Sequence, residues 1–331
     1  MKKILLAVTA ALAITSCSQN EEFENEGQKK AINFESVVNN VTRATEVTTN
    51  ELKNQGFHVY AYNTGENILG TGVLNKSIME NETVLWDTGS NTWISGTYYW
   101  PSTGKVQFFA YSSSKTLALT ASASDKYPTL AGYQVATASA DQEDLLVATV
   151  NDKTKTDIKV GFVFSHVLTQ INFSIKSEKD DNLTYTVSKI EIGEVKNQGT
   201  YKYADNTWDN LQGAVKYSYA LNDVVTDNSV EGTTAKAIGT ESLMLLPQSL
   251  DGAKILVSYK VTDKNGDEVY ATETPKEVDL KSTSWGVGNR VRYVLSLTND
   301  ATAIGWDSSS VKSWTDKSED EREGEPKAPT V

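Results

Sequence analysis

Lys254-Ile255-Leu256-Val257-Ser258-Tyr259-Lys260-Val261 decides the fold class. Apolar and polar side chains alternate along it, the two-residue period of a strand with one buried face. Lys264-Asn265-Gly266-Asp267 follows as a turn with a strand on each side, the clearest hairpin in the chain.

The same alternation recurs on both sides of this hairpin. Towards the N-terminus it appears in Phe57-His58-Val59-Tyr60-Ala61-Tyr62, Val106-Gln107-Phe108-Phe109-Ala110-Tyr111 and Ile171-Asn172-Phe173-Ser174-Ile175. Towards the C-terminus it appears in Val291-Arg292-Tyr293-Val294-Leu295-Ser296-Leu297. Turn residues at Asn63-Thr64-Gly65 and Thr88-Gly89-Ser90-Asn91 separate the strands. A long stripe of helical period is absent, and Ala118 to Ala123, interleaved with Thr and Ser, reads as a loop. The chain is therefore predicted to be all-β.

The roughly 290 residues between leader and tail exceed the ~100 that a seven-stranded sandwich uses, so two β-sandwich domains in series are expected. The polar run Asn151-Asp152-Lys153-Thr154-Lys155-Thr156-Asp157 is the expected joint, giving sandwiches over 44–157 and 158–317. Residues 318–331 form a charged tail that is expected to be disordered.

The N-terminus reads as an export signal over residues 1–16. Lys2 and Lys3 precede the apolar run Ile4–Ile14, which is too short for a bilayer span of ~20 residues. Ile14-Thr15-Ser16-Cys17 resembles a relaxed bacterial lipobox, and Cys17 is the sole cysteine of the chain. Lipidation of Cys17 is expected, which would tie the protein to a membrane. The acidic, polar stretch Ser18–Glu26 then serves as a tether. It resembles the stretch that follows the lipidated cysteine in surface-exposed lipoproteins of Bacteroidetes.

Loss of residues 1–16 moves the formal charge from −12 to −14. Such a chain repels nucleic acid and anionic headgroups. The two histidines, His58 and His166, stand about a hundred positions apart in strand-like segments. A metal site or a nucleophile–histidine arrangement lacks material, and neither enzyme activity nor a cofactor is expected. Trp86, Trp93 and Trp100 fall seven apart within Trp86–Pro101. They read either as core and hairpin residues or as a surface that stacks on sugar rings. The second alternative would make the chain a glycan-binding surface lipoprotein of a polysaccharide-uptake system.

Five motifs, in order, carry a more specific resemblance. They are Tyr98-Tyr99-Trp100-Pro101 with Val106–Tyr111, Asp144-Leu145-Leu146-Val147-Ala148, Phe164-Ser165-His166-Val167-Leu168, Leu245-Leu246-Pro247-Gln248, and Trp285-Gly286-Val287-Gly288-Asn289-Arg290-Val291-Arg292-Tyr293. Together they resemble the fimbrillin family of Bacteroidetes.

The resemblance implies a pair of transthyretin-like Greek-key sandwiches and a structural, adhesive role in a surface pilus. It also implies export as an outer-membrane lipoprotein and cleavage by an Arg-specific protease. Arg43, in Val41-Thr42-Arg43-Ala44-Thr45, resembles the cleavage position and is the sole arginine before Arg290. Residues 17–43 would then be tether plus removable first strand, with Ile32, Phe34 and Val38 as its buried positions. The vacated groove would accept a donor strand from another subunit. Residues 318–331 are too polar for that task. Ile304, Trp306, Val311 and Trp314 mark the better candidate donor. Other pilin subunits and host or bacterial surface ligands are the implied partners.

Overall fold

The computed structural model describes residues 30–38, 48–280, 284–300 and 304–313, the stretch 305–313 by backbone alone. The first half contributes β1 (Phe34–Val38), β2 (Phe57–Asn63), β3 (Ser77–Asp87), β4 (Thr92–Ile94) and β5 (Val106–Ser112). β6 (Leu119–Thr120), β7 (Thr129–Gln134), β8 (Leu146–Lys153) and β9 (Val160–His166) follow. Seven of these nine form one sheet in the order β1-β9-β8-β5-β2-β3-β4. All neighbours are antiparallel except β1, which runs parallel to β9 with Phe34 opposite Val160 and Val38 opposite Phe164.

Both faces of this sheet are covered. Val106, Phe108 and Ala110 of β5 face one apolar cluster, whereas Phe109 and Tyr111 face the other. Every residue of β5 is buried as a result. A strand buried on both faces needs no polar face, so the one-face alternation expected over Val106–Tyr111 gives way to a nearly continuous apolar run.

The second half supplies β10 (Thr169–Ser177), β11 (Thr184–Lys202), β12 (Thr207–Ser218), β13 (Ser229–Glu231) and β14 (Lys236–Leu245). It continues with β15 (Lys254–Thr262), β16 (Glu268–Ala271), β17 (Lys276–Asp279), β18 (Asn289–Leu297) and β19 (Gly305–Ser313). A four-stranded sheet has the order β14-β10-β18-β19. The remaining sheet runs β16-β15-β11-β7-β6, with β12 and β13 on β11 and β17 on β15. The predicted hairpin is β15–β16, closed by Gly266 at φ +88°, a value that suits glycine.

The chain is all-β, and three local expectations change. The run 151–157 takes in the last three residues of β8 and the start of the connection to β9; the two strands pair with each other, so the expected joint falls inside one sheet. Ala118–Ala123 is not wholly loop, because Leu119 and Thr120 pair with Leu130 and Thr129. A short helix, α1 (Thr49–Gln55), also forms. Thr48 and Glu51 cap it reciprocally, and Gly56 ends it at φ +75°.

The two halves share a sheet. β11 is 19 residues long, and while its first part pairs with β15, its last part pairs with β7 from the first half. Just beyond it, the Tyr203 hydroxyl donates to the Ala110 carbonyl at 2.9 Å and Trp208 Nε1 donates to the Val167 carbonyl at 2.8 Å. β11 thus carries the second-half sheet against the face of the first.

Candidate functional site

Residues 30–38 lie in a groove between β9 and residues 98–100. On one side β1 pairs with β9 along its whole length. On the other side the pairing is confined to the start of the segment. The Ile32 amide donates to the Tyr98 carbonyl at 2.9 Å, and the Trp100 amide donates to the Lys30 carbonyl at 3.0 Å. The far end is tied by the Val38 amide, which donates to Oγ1 of Thr49 at 3.1 Å. Between these ties, β1 and the β3–β4 hairpin are separated by a cleft of about 630 Å³.

The strand alternates as its sequence dictates. Ile32, Phe34 and Val38 are buried, whereas Glu35 and Val37 are exposed. Phe34 meets the edges of Phe57 and Phe108, with centroids at 6.3 and 6.4 Å, and stacks on Phe162 at 6.0 Å. Ser36 faces the same way, yet its buried hydroxyl has no hydrogen-bond partner among the described residues. A hydroxyl left unsatisfied in this way weakens the strand's hold on the groove. Lys159 holds Glu35 at 3.7 Å on the outer face, and Lys30 donates to the carbonyl of Lys155 at 3.0 Å.

The tryptophans divide. Trp93 and Trp100 are buried beneath the groove, packed edge-on against Phe57 and Phe108 respectively. Trp86 is partly exposed, but Lys53 Nζ sits 4.1 Å above its ring and Trp93 packs edge-on to it at 5.3 Å. The three do not form a shared stacking platform. Lys53 belongs to α1, whose position the strand pattern did not foretell; the Thr48-x-x-Glu51 capping signature is the signal that could have placed it.

The histidines are not brought together, for His58 on β2 and His166 on β9 are separated in the sheet by β5 and β8. The His58 ring stacks on Tyr111 at 4.9 Å, and burial lowers its pKa from the ordinary value. His166 Nδ1 lies 2.5 Å from a carboxylate oxygen of Asp144, both side chains being buried. Among the described residues, no three His, Cys, Asp or Glu side chains are placed to hold a metal ion.

Of the candidate donor residues, Ile304 is buried and β19 forms the edge of its sheet, with Trp306 opposite Leu295 and Val311 opposite Val291. Cys17, Arg43, Ala44, Trp314 and the tail 318–331 lie outside the described residues.

The family described as fimbrillin-like matches residues 42–314. The fimbrium subunit Fim1C of Phocaeicola vulgatus is 29% identical over an alignment covering 96% of this chain and 97% of that protein. The crystal structure of a fimbrial protein from Bacteroides vulgatus superposes with a TM-score of 0.69 at 24% identity, covering 86% of this chain and 99% of that one.

Proposed function

The chain belongs to the fimbrillin-like family, and from that premise we propose that it is a structural and adhesive subunit of a cell-surface fimbrium. In this reading it is exported as a lipoprotein, anchored in the outer membrane through Cys17, and cut after Arg43 by an Arg-specific protease. The two halves are read as transthyretin-like Greek-key sandwiches, the first including β9. The cut frees residues 30–38 to leave, and a strand from another subunit takes their place.

The observation that carries the reading is the uneven hold on β1. It fills an aromatic pocket through Phe34, but its cleft side is tied only near its two ends among the described residues. Arg43 lies five residues beyond Val38, in the connection to α1. While that connection is intact, β1 is held to its own groove at high effective concentration. Once it is cut, β1 becomes a separate peptide that dilution can remove. The vacated groove would expose the edge of β9 and the rings of Phe57, Phe108 and Phe162, and an unpaired edge beside an apolar pocket favours pairing with another chain.

The test uses residues 18–331 treated briefly with an Arg-specific protease and followed by light scattering. Ala44 should become the new N-terminus and the protein should associate, while Arg43→Ala stays intact and monomeric. Clean cleavage with loss of the strand and no association would refute the polymerising reading. Lipidation is tested separately in cells fed a labelled fatty acid: Cys17→Ala should lose the label and the membrane association.

A further inference from the structure

The cleft beside β1 is a V of two strand edges. At its narrow end Ala31 stands opposite Tyr99 in antiparallel pairing, and the Tyr98 carbonyl and the Trp100 amide both turn towards β1. The amide and carbonyl of one residue point to the same side of a strand, and that side alternates along the chain. Since the Ile32 amide and the Lys30 carbonyl face the cleft, so do the peptide groups of Phe34 and Ser36. Neither has a hydrogen-bond partner across the cleft among the described residues.

The opposite wall is turned away from them. Gly96 has the parity of Tyr98 and Trp100, yet its amide points to β3, where it donates to Oε1 of Glu82 at 2.5 Å. The Tyr98 hydroxyl donates to Oε2 of the same carboxylate at 2.8 Å. Glycine suits this approach, because a Cβ at position 96 would lie 3.0 Å from Oε1 and 3.2 Å from the Tyr98 ring. The β3–β4 ladder stops at Leu85 opposite Ile94, and beyond it one side chain holds the stretch 96–98 from two points.

The faces of the residues show what this wall would otherwise pair with. Counting on from Ala31 and Tyr99 without interruption would set the inward Ser36 hydroxyl opposite the exposed Ile94. Skipping one residue at Gly96 removes the conflict. Inward Ser36 then stands opposite buried Trp93, outward Glu35 opposite Ile94, and Phe34 opposite Ser95. Antiparallel partners share a face, and one skipped residue is a β-bulge.

We propose that Glu82 is a positioning residue for strand release: by holding Gly96 and Tyr98, it keeps residues 92–95 from pairing with Phe34 and Ser36. This rests on the strand-exchange reading above and adds what keeps β1 loosely held. Without that hold the wall zips onto β1 with a bulge at Gly96, the free peptide groups gain partners, and the strand stays.

Amide exchange reads the state of the cleft in uncut residues 18–331. In the wild type the Phe34 and Ser36 amides should exchange faster than those of Glu35 and Val37, which face β9. In Glu82→Ala they should become as protected as those neighbours. After the cut at Arg43, peptide 18–43 should leave Glu82→Ala about tenfold more slowly than the wild type, as the gain of a net hydrogen bond or two implies. Tyr98→Phe removes one of the two bonds to the carboxylate and should slow departure less. A merely structural role for Glu82 predicts the opposite sign, because a loosened wall would speed departure. Faster or unchanged release in both variants, or Phe34 and Ser36 amides that stay unprotected in Glu82→Ala, overturns the inference and leaves strand exchange standing. If the peptide never leaves the cut wild type, the strand-exchange reading fails, and amide exchange in the uncut proteins decides the role of Glu82 alone.

Discussion

Phe34 stacks on Phe162 across the parallel β1–β9 pair, ring centroids 6.0 Å apart and planes 24° from parallel. A single side chain from a segment proposed to be removable therefore sits at the centre of the first sheet's apolar cluster. Truncating a buried Phe costs about 3–5 kcal/mol. Phe34→Ala should lower the stability of the uncut protein by about that amount in urea unfolding. The same substitution should have no effect once the cut strand has been washed away. Equal effects before and after removal would mean that the strand never leaves.

The link between the halves gives a second expectation. Because β7 from the first half pairs with β11, Tyr203 reaches Ala110 in the first sheet and Trp208 reaches Val167 just beyond β9, the first half cannot unfold without disturbing the second-half sheet. Calorimetry should show one cooperative transition rather than two. Trp208→Phe keeps a ring but removes the donor, and should cost about 1 kcal/mol. Two separate transitions in the wild type would contradict the coupling.

The strands were legible wherever one face of a sheet is buried, as at Lys254–Val261, because burial imposes the two-residue period. The same reading placed a joint at 151–157, since a polar run between two apolar ones looks alike whether it links domains or closes a hairpin. Which it is depends on the partner of β9, and strand pairing is a long-range property. The β7–β11 pairing was hidden for the same reason. At the groove, the alternation of Ile32, Phe34 and Val38 could be read from the chain. The open cleft beside β1, the unsatisfied Ser36 hydroxyl and Lys53 above Trp86 arise from neighbours distant in sequence, which local patterning does not encode.

Buried phenols set the alkaline limit. Burial pushes the hydroxyls of Tyr62, Tyr111, Tyr219 and Tyr293 up to about 12. In the unfolded chain they ionise near the ordinary value of about 10. The folded state thus retains protons that the unfolded state has released. The stability these groups allow is complete below about pH 10 and is lost as the pH rises towards 12. The urea midpoint should be flat at ~pH 9 and fall steeply by ~pH 11, with tyrosinate absorbance rising alongside unfolding. Early, stepwise ionisation with the fold intact would show the phenols to be accessible.

The last expectation concerns His166 and Asp144, which join two of the five sequence motifs. Asp144 opens Asp144–Ala148 just before β8, and His166 closes β9 within Phe164–Leu168. The antiparallel β8–β9 pairing sets Leu146 opposite His166, which brings the imidazole to the residues just ahead of β8. With both side chains almost fully buried, at 1% and 0% exposure, water cannot replace a lost partner. Removing one member should therefore cost about 1–3 kcal/mol, the range for a buried polar group deprived of its partner. Asp144→Ala should show that full loss. Asp144→Asn, which keeps the shape and one carbonyl oxygen, should fall between it and the wild type. Lys189→Ala, which removes a half-exposed cation from Glu191, serves as the surface control and should change stability far less. If Asp144→Ala proves no worse than that control, the pair is a bystander at the end of β9, and the two motifs share no structural purpose there.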